Sequence, residues 1–223
     1  DHTLYEARHC YARSGIAPAV QDLGVQLEFT DERKFVNVDV KGQWLKEWPI
    51  YRDYLEADKV INLPIAKHHS LCRVTLGLKN LMGVMGGNRG DIHNMFPQKL
   101  VDIGRTILPT LTIIDAYRIL TANGPVGGNL AHVKTPRTLI MSPCTVSADY
   151  TALNLFGLTL DDVDVVNHEV QHHARLHGPE AEGVDPVALD EHGLVNVGQR
   201  GKHHGVEPLD VPHLQGHAVS LRD

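Results

Sequence analysis

Lys67, His69, Lys79, Asn80, Arg89 and His93 fall within one short stretch, alongside Gly83, Gly86, Gly87 and Gly90. The run is DKVINLPIAKHHSLCRVTLGLKNLMGVMGGNRGDIH, residues 58–93. Two cationic side chains brought together can clamp a carboxylate or a phosphate. Backbone N–H groups of closely spaced glycines can form an anion-binding nest. Neutral His69 and His93 can move protons or ligate a metal. Lys67, His69, Lys79 and His93 are therefore the candidate catalytic residues. Asn80, Gly83, Gly86, Gly87 and Arg89 are candidate ligand contacts. The plainer alternative is a solvated basic loop with glycines at its turns. The stretch carries no Gly-Lys-Ser/Thr, and Gly83-Val-Met-Gly86-Gly87 lacks dinucleotide spacing, so neither phosphate-loop motif applies. Arg89-Gly90-Asp91 is treated as incidental.

Two further sets carry chemistry. Asp115 and Asp149 each follow or lie near a buried strand end. Both are expected to face the same crevice as Lys67, binding a cation or pairing with Lys79 and Arg89. An N-cap for Asp115 and a structural role for Asp149 are the competing readings. His168-Glu169-Val170-Gln171-His172 is a literal H-E-x-x-H. On a helix it puts two histidines on one face, where they can hold zinc with Glu169 as base. A histidine-rich helix also produces such pairs by chance, and His173 and His177 make another.

The elements that must position these groups read as strand and helix in alternation. Lys34–Val40 alternates like a half-buried strand, and Val25–Thr30 is another candidate. Pro49 is suited to open a short helix over 50–57, and the spacing of Trp44 and Trp48 points to core packing. Lys59–Leu63 is nearly all apolar, as a central strand covered on both faces would be. The polar cluster follows it, where ligands bind in open α/β sheets. Residues 98–108 form an amphipathic helix, 111–114 and 137–141 strands, and 148–156 a helix closed by Gly157. A helix over 160–176 and a last strand over 194–197 complete the pattern. The expected fold is α/β, a mostly parallel sheet with helices on both faces and a His-rich, poorly ordered C-terminal tail. The expected domains are 1–165 and a C-terminal helix and tail over 166–223.

Bulk composition sets limits. The 223 residues suit one large domain or a domain with a tail. Net charge is −6, which disfavours non-specific nucleic-acid binding. No apolar run spans a bilayer. Cys10, Cys72 and Cys144 lack Cys-x-x-Cys spacing, so this chain alone is expected to hold no iron–sulfur cluster and no disulfide framework. Reduced thiols point to the cytoplasm. The cofactor is left open, with a divalent metal on His69 and His93, or on His168 and His172, as the candidate. Fifteen histidines are present, nine of them from His168 onward, which is why the tail stands apart.

INLPIAKHHSLCRVTLGLKNLMGVMGGNRGDIH, LTIIDAYRILTANGPVGG and ADYTALNLFGL together resemble the core of the domain-of-unknown-function 362 family, over residues 58–158. The resemblance implies an α/β domain of bacteria and archaea, sometimes beside ferredoxin-type iron–sulfur modules, without a known reaction. The matching polar positions are Lys67, His69, Lys79, Asn80, Arg89, His93, Asp115 and Asp149. Cys144-Thr145 stands where the family has Asp-Pro, ferredoxin-type cysteines are absent, and the family's strand-rich start is expected upstream of Asp1. A more distant likeness to nickel-dependent hydroxy-acid racemases implies metal-assisted chemistry. The functional expectation is a redox-linked or metal-assisted enzyme acting on a small anionic substrate. Its alternatives are a non-catalytic ligand- or metal-binding module serving an iron–sulfur partner, and a zinc peptidase built on His168 and His172.

Overall fold

The computed structural model describes residues 5–126, 128–177 and 194–196. The fold is α/β. Helices α1 (Ala7–Arg13) and α2 (Ile16–Gln21) precede a hairpin of β1 (Phe35–Asp39) and β2 (Glu47–Tyr51). Short α3 (Arg52–Glu56) leads to β3 (Ile61–Asn62), β4 (Ile65–His69), β5 (Arg73–Thr75) and α4 (Gly77–Asn80). Then come α5 (Phe96–Thr106), β6 (Leu111–Leu120), β7 (Val133–Lys134), β8 (Thr138–Ser142), α6 (Thr145–Leu153), α7 (Asp164–His177) and β9 (Leu194–Asn196).

The main sheet runs β5-β4-β6-β8-β9, with β3 and β7 also on β6. Parallel pairing of β3 and β4 with β6, and of β8 with β9, forms its frame. Antiparallel β5 and β7 are added to β4 and β6, and β8 runs against β6. Strand β6 explains the sheet's polarity. Thr112, Ile114 and Ala116 are buried on one face, while Asp115 and Tyr117 are exposed on the other, as period-2 alternation requires. The buried face packs on α6 and α7 through Ala66, Val74, Ile140, Ala148, Leu153 and Val166.

The opposite face is open among the described residues, although the sequence pattern places helices on both. Ile61, Leu63, Ile65, Leu139 and Met141 are exposed there. An apolar run does not by itself say what covers each face. A second core forms beside the sheet edge, where α4 and α5 meet β2. Helix α5 starts with Pro97 in its first turn and buries Leu100, Val101, Ile103 and Gly104. Gly104 lets α5 approach α4 closely, because a Cβ there would sit 2.2 Å from Leu78 Cδ1.

Several local expectations shift. Pro49 lies within β2, where its missing donor is tolerated on a two-stranded ribbon, and the helix begins only at Arg52. Residues 25–30 form no strand. Trp44 is 48% exposed rather than in the core, because it lies in the β1–β2 loop and not on a helix. A boundary between 165 and 166 falls inside α7, whose Val165 and Val166 are buried in the two cores. Apart from β9, the His-rich tail beyond His177 lies outside the described residues.

Candidate anion site

The polar cluster does not begin in a loop after the strand: Lys67 and His69 lie in β4 itself. Pro64 interrupts the apolar run, and the chain re-pairs with β6 as Ile65–His69. Ala66 is wholly buried beneath the covered face. Alternation therefore sends Lys67 and His69 to the other face. Thr75 pairs directly with Lys67 across the β4–β5 hairpin and so shares that face. Its hydroxyl is buried without a hydrogen-bond partner among the described residues.

Helix α4 brings Lys79 to the same place, and its position is fixed from below. The Asp149 carboxylate, wholly buried on α6, accepts hydrogen bonds from Gly77 N (2.6 Å) and Leu78 N (2.9 Å). Asn62 donates through Nδ2 to Gly77 O (2.9 Å) and accepts through Oδ1 from Asn80 Nδ2 (2.8 Å). A Cβ on Gly77 would lie 2.7 Å from Asp149 Oδ1, so the turn needs glycine. Asn80 and Asp149 thus position α4. The sequence reading made them ligand contacts, but both oxygens of Asp149 accept from α4 and Asn80 Nδ2 donates to Asn62. Asn62 was missed, although an asparagine in an apolar strand signals a buried polar duty.

The ammonium of Lys79 lies 5.6 Å from the Phe96 ring centroid. His93, at the end of a 3-10 turn, stacks on the same ring at 5.5 Å and 26°. Phe96, which the sequence reading passed over, is thus the platform joining α4 to the loop before α5.

The electrostatics are dominated by two desolvated lysines. Burial lowers the Lys67 pKa first, and the charge of Lys79 lowers it further. Lys79 is lowered by burial and by Arg89, with only the Cys72 thiol acting the other way. His69 falls to about 4, through burial and then Lys79, His93, Lys67 and His68. Among the described residues no carboxylate contributes to any of these three. His69 is therefore neutral at pH 7. Its Nδ1 accepts from Leu71 N (3.1 Å), which leaves the proton on Nε2 as a donor. Arg89 is half-buried, its pKa lowered by burial and raised by Glu32, and it donates to Met82 O (3.4 Å).

The glycines do not form a nest. Gly86 N–H donates to Pro49 O (2.8 Å), and Gly90 N–H to Asn88 Oδ1 (3.2 Å). Gly86 packs on Phe35, and Gly87 turns at φ +63. Gly83 sits half-buried in a 3-10 turn. Gly86 and Gly87 pack against the β1–β2 hairpin, at Phe35 and Pro49. Asp115 is exposed and accepts from Tyr117 N (2.9 Å), two residues along the same strand β6. It lies on the open face, whereas Asp149 is under the covered one, so the two do not face one crevice.

Asp149 instead neighbours Glu169. Burial raises Asp149 to about 7. Glu169 is raised well above its ordinary value, by burial first and then by Asp149 and Cys144. One oxygen of Glu169 is buried without a partner. This removes the peptidase geometry. His168 and His172 line a cavity between α5 and α7, while Glu169 points into the core toward α6. A base turned away from the histidine pair cannot act on water held by it. Among the described residues no three His, Cys, Asp or Glu side chains come together to hold a metal, so neither His69 with His93 nor His168 with His172 has a third such ligand. Cys10, Cys72 and Cys144 are unpaired. Burial pushes the Cys72 thiol up to about 11, which makes it a packing residue.

The shifts set opposing pH trends. His69 has a folded pKa below its unfolded 6.5, so stability is full above that value and lost as pH falls toward about 4. Asp149 has a folded pKa above its unfolded 3.8, so stability is full below that value and lost as pH rises through about 7. His69→Gln removes only the first trend. Urea unfolding should show the stability difference, wild type minus variant, declining as the pH is lowered from 6.5 to 4. A difference that stays flat over that interval would mean that His69 titrates normally.

The family model described as "Domain of unknown function (DUF362)" matches residues 1–154. A thylakoid-associated protein of Synechocystis sp. is 28% identical over 191 residues. That alignment covers 82% of this chain but 57% of the relative, so the chain spans little more than half of the relative's length. No solved structure matches the chain. Among the described residues no helix is long and apolar enough to cross a membrane.

Proposed function

The chain belongs to the domain-of-unknown-function 362 family, and within it we propose that Lys67, Lys79 and His69 bind a small anionic substrate, a carboxylate or a phosphate. The observation that carries this reading is the pair of desolvated lysines, Lys67 and Lys79, with no carboxylate contributing to their charge balance among the described residues. Such an arrangement costs folding free energy unless an anion neutralises it. The orphaned Thr75 hydroxyl beside Lys67 supplies a further hydrogen bond.

The roles follow from the geometry. Lys67 and Lys79 supply charge, and His69 Nε2–H orients the anion. A lysine of lowered pKa and the exposed His93 are suited to proton transfer, so the reading extends to an enzyme of small-molecule metabolism. Arg89 stands at the approach to Lys79. A redox or metal-assisted step, and an iron–sulfur partner to serve it, belong to this proposal as extensions drawn from the resemblance. We place the chain in the cytoplasm, where three unpaired thiols stay reduced. The thylakoid association is named for the relative, and its extension here is peripheral attachment through a partner.

A melting-temperature series tests the site. Phosphate, sulfate and oxalate are compared with chloride at equal ionic strength. A ligand that binds only the folded state raises the midpoint by mass action. The expected result is a rise of several degrees (~2 kcal/mol or more) at saturation for at least one multivalent oxyanion. Midpoints that track ionic strength alone would overturn the proposal. Affinity without turnover on any derivative of the bound anion would favour the non-catalytic module.

A further inference from the structure

The cavity between α5 and α7 has no part in the cluster around Lys67. It measures about 240 Å³ and is lined by Trp44, Gln98, Arg105, His168, His172 and Arg175, with glutamines beside them and Asp102 at its base. Asp102 is already engaged: its oxygens accept from Gln43 N (3.1 Å), Trp44 N (2.7 Å) and Leu45 N (2.9 Å). These bonds hold the Trp44 loop as one wall of the cavity. The two guanidinium groups depress the basicity of His172, after burial and against Asp102, so both reach the same space. The cavity is therefore cationic on one side and aromatic on another.

Two polar atoms in it lack partners. Gln98 Oε1 and His172 Nε2 are buried with no hydrogen bond among the described residues. Gln98 Nε2 lies 3.3 Å from His168 Nε2, which fixes the amide and leaves its oxygen as an acceptor in need of a donor. The volume is below the roughly 300–1,000 Å³ of pockets for drug-sized ligands, so a single ring fits and a dinucleotide does not.

We propose that this cavity is a second ligand site, which takes a single-ring N-heterocycle carrying one carboxylate or phosphate. The ring lies against the Trp44 indole, a ring N–H donates to Gln98 Oε1, and the anionic group pairs with Arg105 and Arg175. The histidines that match H-E-x-x-H are then wall groups of an organic ligand pocket, with His172 Nε2 supplying a further hydrogen bond to the ring.

Orotate, a pyrimidine carboxylate with ring N–H groups, is the probe, titrated calorimetrically into the full chain. Saturable binding is expected at millimolar concentration or below. Benzoate, which lacks the donor, and uracil, which lacks the anionic group, should each bind at least tenfold more weakly. Arg105→Gln changes an exposed side chain and should weaken orotate binding about tenfold or more. Lys79→Met disables the other anion site, so the orotate isotherm is also read in that background, where saturable binding should persist. Absence of saturable binding, equal affinity of the Arg105→Gln protein, or loss of binding in Lys79→Met would each overturn the assignment.

Discussion

Asp149→Ala is expected to cost about 2–4 kcal/mol of unfolding free energy at neutral pH, read from urea denaturation. The carboxylate is the acceptor for two buried backbone N–H groups, those of Gly77 and Leu78. Each donor left without an acceptor costs about 1–3 kcal/mol. Relief of the carboxyl's own desolvation offsets part of this, because burial already holds its pKa near 7. Asp149→Asn should cost less, since an amide oxygen still accepts one of the two bonds. Both variants also remove a charge that raises Glu169, so the titration of Glu169 should move down toward its ordinary range. A loss below about 1 kcal/mol for alanine would mean that Asp149 does not hold α4.

Lys79→Met is expected to do two opposite things. Anion affinity should fall about ten- to a hundredfold, because the ammonium is half of the proposed charge clamp and a charge-assisted hydrogen bond to a desolvated group contributes about 1.5–3 kcal/mol. Stability without ligand should hold or rise. The substitution keeps the aliphatic stem, and it removes a buried charge that repels Lys67 and Arg89. It also loses the contact with Phe96, worth about 0.5–1 kcal/mol, so the net gain is modest. A residue needed only for folding would show the reverse: lower stability in the variant and no change in anion response.

How much of this was legible in the sequence depends on the range of the interactions. Strand β1, helix α5, strand β8 and the helix closed at Gly157 follow from local periodicity and turn chemistry, and they stand close to where the pattern puts them. Lys67, His69, Lys79 and His93 were legible as a group because they lie close in sequence, and the β4–β5 hairpin, α4 and the turn before α5 bring them together. What failed was non-local. Gly86 looks free for an anion until Pro49, far upstream, takes its N–H. Asp115 and Asp149 look equivalent, yet one residue of register decides which face of β6 a side chain takes, and helix α6 stands under the other face. The histidines of H-E-x-x-H do share a helix face, but only the packing of α7 on α5 and α6 shows that Glu169 is turned inward. Asn62 and Phe96 acquire roles from α4 alone, a four-residue helix that no periodicity would mark.

The central claim is that the cations around Lys67 hold an anion. Isothermal titration of inorganic phosphate and of oxalate into the wild-type chain and Lys79→Met, at constant ionic strength, tests it most directly. The account expects saturable one-to-one binding to the wild type for at least one of these anions, and binding about ten- to a hundredfold weaker to the variant. Equal isotherms for the two proteins, or weak non-saturating heats in both, would contradict it.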